Sequence, residues 1–247
     1  MRKPSDPLFD VIAFDADDTL WHSEGLYRGV ETRFKTLLAG YGVVSVDPTM
    51  HETEIRNLQY YGYGIKGFIM SLIESAIALT AGRITGHDVG KVLDWAKEMQ
   101  QAPVDLFEHA QETVAALAAH YPLMLITKGD LLDQQAKLDR SGLGHHFRYI
   151  EIVSEKTQQT YAAILARRQI VPQRFLMVGN SLKSDILPVI ALGGRAVHIP
   201  AHLLWEHEAA APPDGDERTY EEVEHLRLLP PLIESSVWRT TNASSQP

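Results

Sequence analysis

The sequence has no cysteine among its 247 residues. Disulfides, thiolate nucleophiles and zinc–sulfur sites are therefore excluded, and the composition suits a reducing compartment. No apolar run approaches the roughly 20 residues that a membrane-spanning helix needs. The opening MRKPSDPLFD places Pro and Asp where a signal peptide carries a continuous apolar core. A soluble, cytoplasmic protein without a membrane partner is expected. Basic blocks are also missing: 23 Lys and Arg face 32 Asp and Glu, for a formal charge of -9. A nucleic-acid binder would need the opposite balance, so no nucleic-acid partner is expected. The 11 histidines show no zinc-ligand spacing, and the pair His145-His146 stands in a Gly-rich turn.

What is present is an alternation. Short, nearly continuous apolar runs occur at Leu8 to Phe14, Leu123 to Thr127, Tyr149 to Ser154, Phe175 to Gly179 and Ala196 to Pro200. Such runs read as strands of a parallel sheet buried on both faces. Between them Phe107 to His120 and Tyr161 to Gln169 carry apolar residues at helical spacing. The pattern predicts an α/β fold with a doubly wound, mostly parallel sheet. About a hundred residues separate the first two strands, far more than one crossover helix requires. That gap reads as four helices, Leu26 to Leu38, Thr49 to Tyr60, Gly67 to Thr80 and Asp88 to Gln101. Residues 22–103 are therefore expected to form an all-helical cap, with 1–21 and 104–247 as the core. Pro212 to Glu224 reads as a solvated acidic excursion, and Thr240 to Pro247 as a frayed end.

The stretch VIAFDADDTL, Val11 to Leu20, sets three carboxylates in four positions directly after the first apolar run. Clustered buried charge of one sign is costly unless a cation neutralises it, and a metal is the simplest candidate. In open α/β sheets ligands bind beyond the carboxyl ends of the strands. Those ends carry Asp15 and Asp17, then Thr127, then Lys156, then Asn180 and Asp185 in GNSLKSD. Taken singly, each has a structural role available: a turn cap, a strand residue, a solvated lysine. As an ordered set on successive strands they point to one crevice.

This set resembles the haloacid dehalogenase superfamily of hydrolases, whose motifs run D-x-D-x-T, S/T, K and an acidic loop. Asp15, Asp17 and Thr19 match the first, Thr127 the second, Lys156 the third, and Gly179 to Asp185 the fourth. The resemblance implies a Rossmann-like core, a helical cap and an aspartyl-phosphate mechanism on a small phosphorylated metabolite. Asp15 would be the nucleophile and Asp17 the acid and base. Thr127 and Lys156 would bind the phosphoryl group. Mg2+ would be held by Asp15, the main-chain carbonyl of Asp17, Asn180 and Asp185. Asn180 departs from the family pattern, which has Asp there; Asp185 then either carries more of the metal or only orients Lys156. Asp17 favours phosphate over halide, since displacing halide needs no acid for the leaving group. A dehalogenase, a phosphomutase and a receiver-like phospho-Asp module remain alternatives, the last disfavoured by length.

Other residues are weighed more lightly. Thr19 is expected to fix the loop and Asp18 to serve the turn. Lys128 is a candidate for phosphate binding. Trp21 either lines the pocket or packs. The loop Tyr60 to Phe68, YYGYGIKGF, either dips into the site or is a turn with packed tyrosines. Its Lys66 is a candidate substrate contact, and would be the Schiff-base residue of a phosphonate-cleaving enzyme.

Overall fold

The computed structural model describes residues 7–201, 205, 208 and 220–235. Most of the acidic segment Pro212 to Glu224, up to residue 219, and all of Thr240 to Pro247 lie outside the described residues.

Six parallel strands form one sheet in the order β3-β2-β1-β4-β5-β6. They are β1 (Val11–Phe14), β2 (Leu123–Lys128), β3 (Phe147–Val153), β4 (Phe175–Gly179), β5 (Arg195–His198) and β6 (Glu221–Glu222). From β1 the chain builds outward through β2 and β3, then returns to the other side of β1 with β4. The carboxyl ends of β1 and β4 therefore flank the point where strand order reverses, which is where such sheets bind ligands. All four residues of β1 and all five of β4 are buried. Their side chains alternate between two cores. Ile12, Phe14, Leu176 and Val178 pack on the face covered by α5 (Ala110–Ala118), α6 (Leu131–Ser141) and α9 (Leu229–Glu234). Val11, Ala13, Phe175 and Met177 pack on the face covered by α7 (Gln158–Arg168) and α8 (Leu187–Ile190). The continuous apolar runs are explained by this covering of both faces.

Between β1 and α5 stand four helices, α1 (Glu24–Ala39), α2 (Asp47–Tyr61), α3 (Ile65–Leu79) and α4 (Gly86–Gln101). They share a hydrophobic core of their own, built on Phe34, Leu38, Leu72, Val92 and Trp95. In α1 the buried residues Val30, Phe34 and Leu38 recur every four positions, and burying each such side chain contributes roughly 1.5–3 kcal/mol. The start of α1 is capped from a distance. Ser23 makes no side-chain cap, and the Asp18 carboxylate instead accepts the amides of Ser23 (3.0 Å) and Glu24 (3.0 Å). Asp18 itself adopts a left-handed φ of 58°, which Asp tolerates better than most residues. The turn role expected of it is what the structure shows. Among the described residues no helix is long and apolar enough to cross a membrane.

Candidate active site

The β1 strand delivers Asp15 to the switch point, where its amide still pairs with the Val178 carbonyl of β4 at 2.9 Å. Its carboxylate is buried. Oδ2 accepts the Thr19 hydroxyl at 2.9 Å, and Oδ1 pairs with the ammonium of Lys156, which arrives from the loop after β3. The same ammonium donates to Asp185 Oδ1 at 2.7 Å, and Asp185 Oδ2 accepts the Ser181 amide at 3.1 Å. Asp185 sits in a π-helical turn, Leu182–Ile186, capped by the preceding Ser181, whose hydroxyl oxygen accepts the amide of Ser184 at 3.0 Å. Gly179 makes this turn possible, because a Cβ there would stand 2.3 Å from Asp185 Oδ2.

Two buried carboxylates thus share one buried cation, leaving a net charge of -1. Burial, then the neighbouring Asp185, push the Asp15 carboxyl up to about 7 against the pull of Lys156. Burial would lower the Lys156 ammonium, but Asp15 and Asp185 override it and hold it above its usual range.

Asp17 is surrounded differently. Lys137 Nζ lies 2.8 Å from both of its oxygens, Gln134 Nε2 donates to Oδ2 at 2.8 Å, and Trp21 Nε1 donates to Oδ1 at 2.7 Å. Burial alone would raise its carboxyl, yet Lys137 and these hydrogen bonds bring it below the usual carboxylate range.

Asp15, Asp17, Thr127, Lys128, Lys156, Asn180 and Asp185 all line one cavity of about 160 Å³ between the sheet and the inserted helices α1, α2 and α3. Its far wall, from α1 and α2, carries Glu31 and Glu54. Burial, with Glu31 and Glu24 close by, pushes Glu54 up to about 7. The loop after α2 dips into the cavity, which Gly62, Tyr63 and Gly64 line.

Comparison with known proteins settles the lineage. The family model for haloacid dehalogenase-like hydrolases matches residues 9–193. The chain belongs to the haloacid dehalogenase-like hydrolases. A haloacid dehalogenase-like family hydrolase from Xanthomonas campestris is 37% identical, with a TM-score of 0.86, over 99% of this chain and 98% of that one. The HAD-hydrolase YfnB from Bacillus subtilis, bound to magnesium, shares the fold at 16% identity and TM-score 0.64, covering 92% and 99%. A 2-haloacid dehalogenase from Pseudomonas syringae does so at 22% identity and TM-score 0.62, covering 92% and 98%. No curated protein matches.

Within this haloacid dehalogenase-like hydrolase the expected core of the site, Asp15, Asp17, Thr127 and Lys156, is brought together. Of the three further substrate-binding expectations, Lys128 is placed at the cavity, and Lys66 and Trp21 need correction. Lys128 lines the cavity, but its ammonium pairs with Glu208, donates to Ser184 Oγ at 3.1 Å and lies 4.1 Å over the Tyr63 ring, so its charge is already neutralised. Lys66 does not line the cavity; it is exposed and bonds both oxygens of Asp130 at 2.9 and 3.0 Å. Trp21 is buried outside the cavity and acts on Asp17 through its indole N–H. Gln134 and Lys137 were not anticipated. Their helix α6 announces itself by the Asp130 N-cap, which accepts the Asp133 amide, and by the Gly142 stop.

The residues present fit a hard divalent cation. Among the described residues no three acidic or histidine side chains converge on one point. Two carboxylates, Asp15 and Asp185, an amide oxygen of Asn180 and the main chain at Asp17 make an all-oxygen set with a net negative charge. Mg2+ keeps several waters and needs only one or two carboxylates, unlike a fully protein-caged ion. Asn180 is held close to Asp15 through Thr19, whose hydroxyl lies 3.2 Å from Asn180 Oδ1.

Proposed function

We propose that the protein is a Mg2+-dependent phosphomonoester hydrolase that works through an aspartyl-phosphate at Asp15 and acts on a small phosphorylated metabolite. The observation that carries this reading is the second carboxylate, Asp17, lining the same cavity as the nucleophile. Displacement of halide from carbon has no use for it.

In the first step an Asp15 oxygen forms a bond to phosphorus, and the bond from phosphorus to the ester oxygen breaks. The departing oxygen takes a proton from Asp17. In the second step Asp17 removes a proton from water, whose oxygen attacks phosphorus and releases Asp15. Lys156 offsets charge on the nucleophile and the transferring group, and the Thr127 hydroxyl donates to a phosphoryl oxygen. Bound Mg2+ would supply the positive charge that favours the ionised Asp15 and neutralises the phosphoryl oxygens. Asp15, Asn180, Asp185 and the Asp17 carbonyl would hold it.

Residues 22–103 serve as the cap that closes the cavity over the core, 1–21 and 104–247. The Glu31 and Glu54 wall disfavours a second anionic group on the substrate. A panel of phosphomonoesters and 2-haloacids, assayed with Mg2+ and then with EDTA, tests the proposal. Metal-dependent phosphate release supports it, and release of halide alone overturns it.

Dehalogenation remains the second reading for one specific reason. Asn180 removes a metal-binding charge that a phosphatase site of this pattern would use.

A further inference from the structure

The four contacts on Asp17 account for its whole acceptor capacity, since a carboxylate offers about four lone-pair directions. Oδ1 receives Trp21 and Lys137, and Oδ2 receives Gln134 and Lys137. In this arrangement Asp17 has no free position at which to take a proton from water or to present one to a leaving oxygen. At least one contact must open for it to act.

The donors are themselves fixed. Lys137 is 8% exposed, and its other acidic neighbour, Asp133 Oδ2, lies at 3.9 Å, so its charge is committed to Asp17. Gln134 also donates to the Lys128 carbonyl at 3.0 Å. It packs against Gly129, where a Cβ would stand 2.8 Å from its Nε2. Both residues belong to α6, and α6 is tied to the inserted helices at its first turn. Its N-cap Asp130 receives Lys66 of α3 at 2.9 and 3.0 Å and packs against Gly64, where a Cβ would stand 3.3 Å from the Asp130 amide. Trp21, the remaining donor, stands where the chain leaves the sheet toward α1.

We propose that Lys137, Gln134 and Trp21 form a latch that holds Asp17 in a resting position, and that the Lys66–Asp130 tether makes its release depend on the placement of the inserted helices. This rests on the phosphomonoesterase reading, with Asp17 as acid and base. Lys137 and Gln134 are positioning residues, and Lys66 acts through them. The latch makes proton transfer conditional on a ligand that draws the inserted helices down. It also leaves the attack by Asp15 unaltered.

The test uses the full-length chain with Mg2+ and a series of aryl and alkyl phosphates graded by leaving-group pKa. Phenolates that leave easily need no acid, whereas alkoxides do. Loss of the tether in Lys66→Met should change the ratio of kcat/KM for poor to good leaving groups by about fivefold, the worth of one modest hydrogen bond. The kcat/KM of p-nitrophenyl phosphate, which reports on the phosphorylation step and not on the later attack of water, should stay as in the parent. Lys137→Met should shift the same ratio, and adding Lys66→Met to it should have no further effect, because the two act in series. Should Lys137→Met fail to fold, Lys66→Met alone decides, its side chain being exposed. Equal loss across the series, or no change in either variant, overturns the latch while the parent's turnover still supports the phosphatase reading. A parent that releases no phosphate from any ester overturns both.

Discussion

Lys156→Met removes the one cation shared by Asp15 and Asp185 while keeping most of the side chain's volume. The three residues are 4%, 6% and 1% exposed, so water does not replace the lost ammonium. Breaking a buried ion pair by deleting one partner costs about 3–5 kcal/mol. Here two carboxylates lose their partner together, so the upper end is expected at pH 8. Set against a total stability of about 5–15 kcal/mol, that is a third or more of the fold's margin. Urea unfolding of parent and variant, without metal, measures it. The loss should shrink toward pH 5.5, where one of the two carboxyls takes up a proton, and should shrink again on adding millimolar Mg2+. It should also be partly recovered by Asp185→Asn in the same chain. A metal-free loss below about 1 kcal/mol at pH 8 would mean that the carboxylates are not desolvated as the geometry requires.

Asn180→Asp adds a carboxylate to the all-oxygen set and should lower the Mg2+ concentration at half-maximal activity, while Asp185→Asn should raise it; an unchanged requirement in both would remove this loop from the metal site. Glu54 has a folded-state carboxyl near 7 against an ordinary 4.5. The folded protein therefore holds a proton that the unfolded chain has lost between those values, and its stability falls as pH rises through that window. Glu54→Gln should remove this slope, matching the parent near pH 4.5 and exceeding it by about 2–3 kcal/mol at pH 8 in denaturant titrations. Bisphosphorylated substrates should show a higher KM than monophosphates of the same size, and the same substitution should narrow the gap.

Much of this molecule was legible from short-range pattern. Strands β1, β2 and β4 are continuous apolar runs because helices cover both faces of the sheet; β3, at the sheet edge, carries Arg148 and Glu151 and is only partly buried, and β6 gives no such signal because it consists of Glu221 and Glu222. The helix α6 was overlooked because LLDQQAKLDRS presents little apolar stripe; its caps marked it better than its periodicity. The motif residues were legible because each ends a strand, so topology alone collects them. The lysines were not. Lys128 finds Glu208 80 positions away and Lys66 finds Asp130 64 positions away. A charge's partner at that separation is decided by tertiary packing, so a lysine near a motif reads as available when it is spent. Lys137 illustrates the converse, an ordinary helical lysine that becomes buried against Asp17 120 positions earlier.

Phosphorylation of Asp15 during turnover separates the phosphatase from a dehalogenase. It can be trapped by acid quenching in the first turnover of p-nitrophenyl phosphate with Mg2+, followed by mass analysis of the peptide bearing Asp15. One phosphoryl group is expected on that peptide, removed by hydroxylamine and absent from the inactive, folded Asp15→Asn variant. Phosphate release with Asp15 never modified, or a carboxylate ester on Asp15 formed from a 2-haloacid in a protein that releases no phosphate, would contradict it.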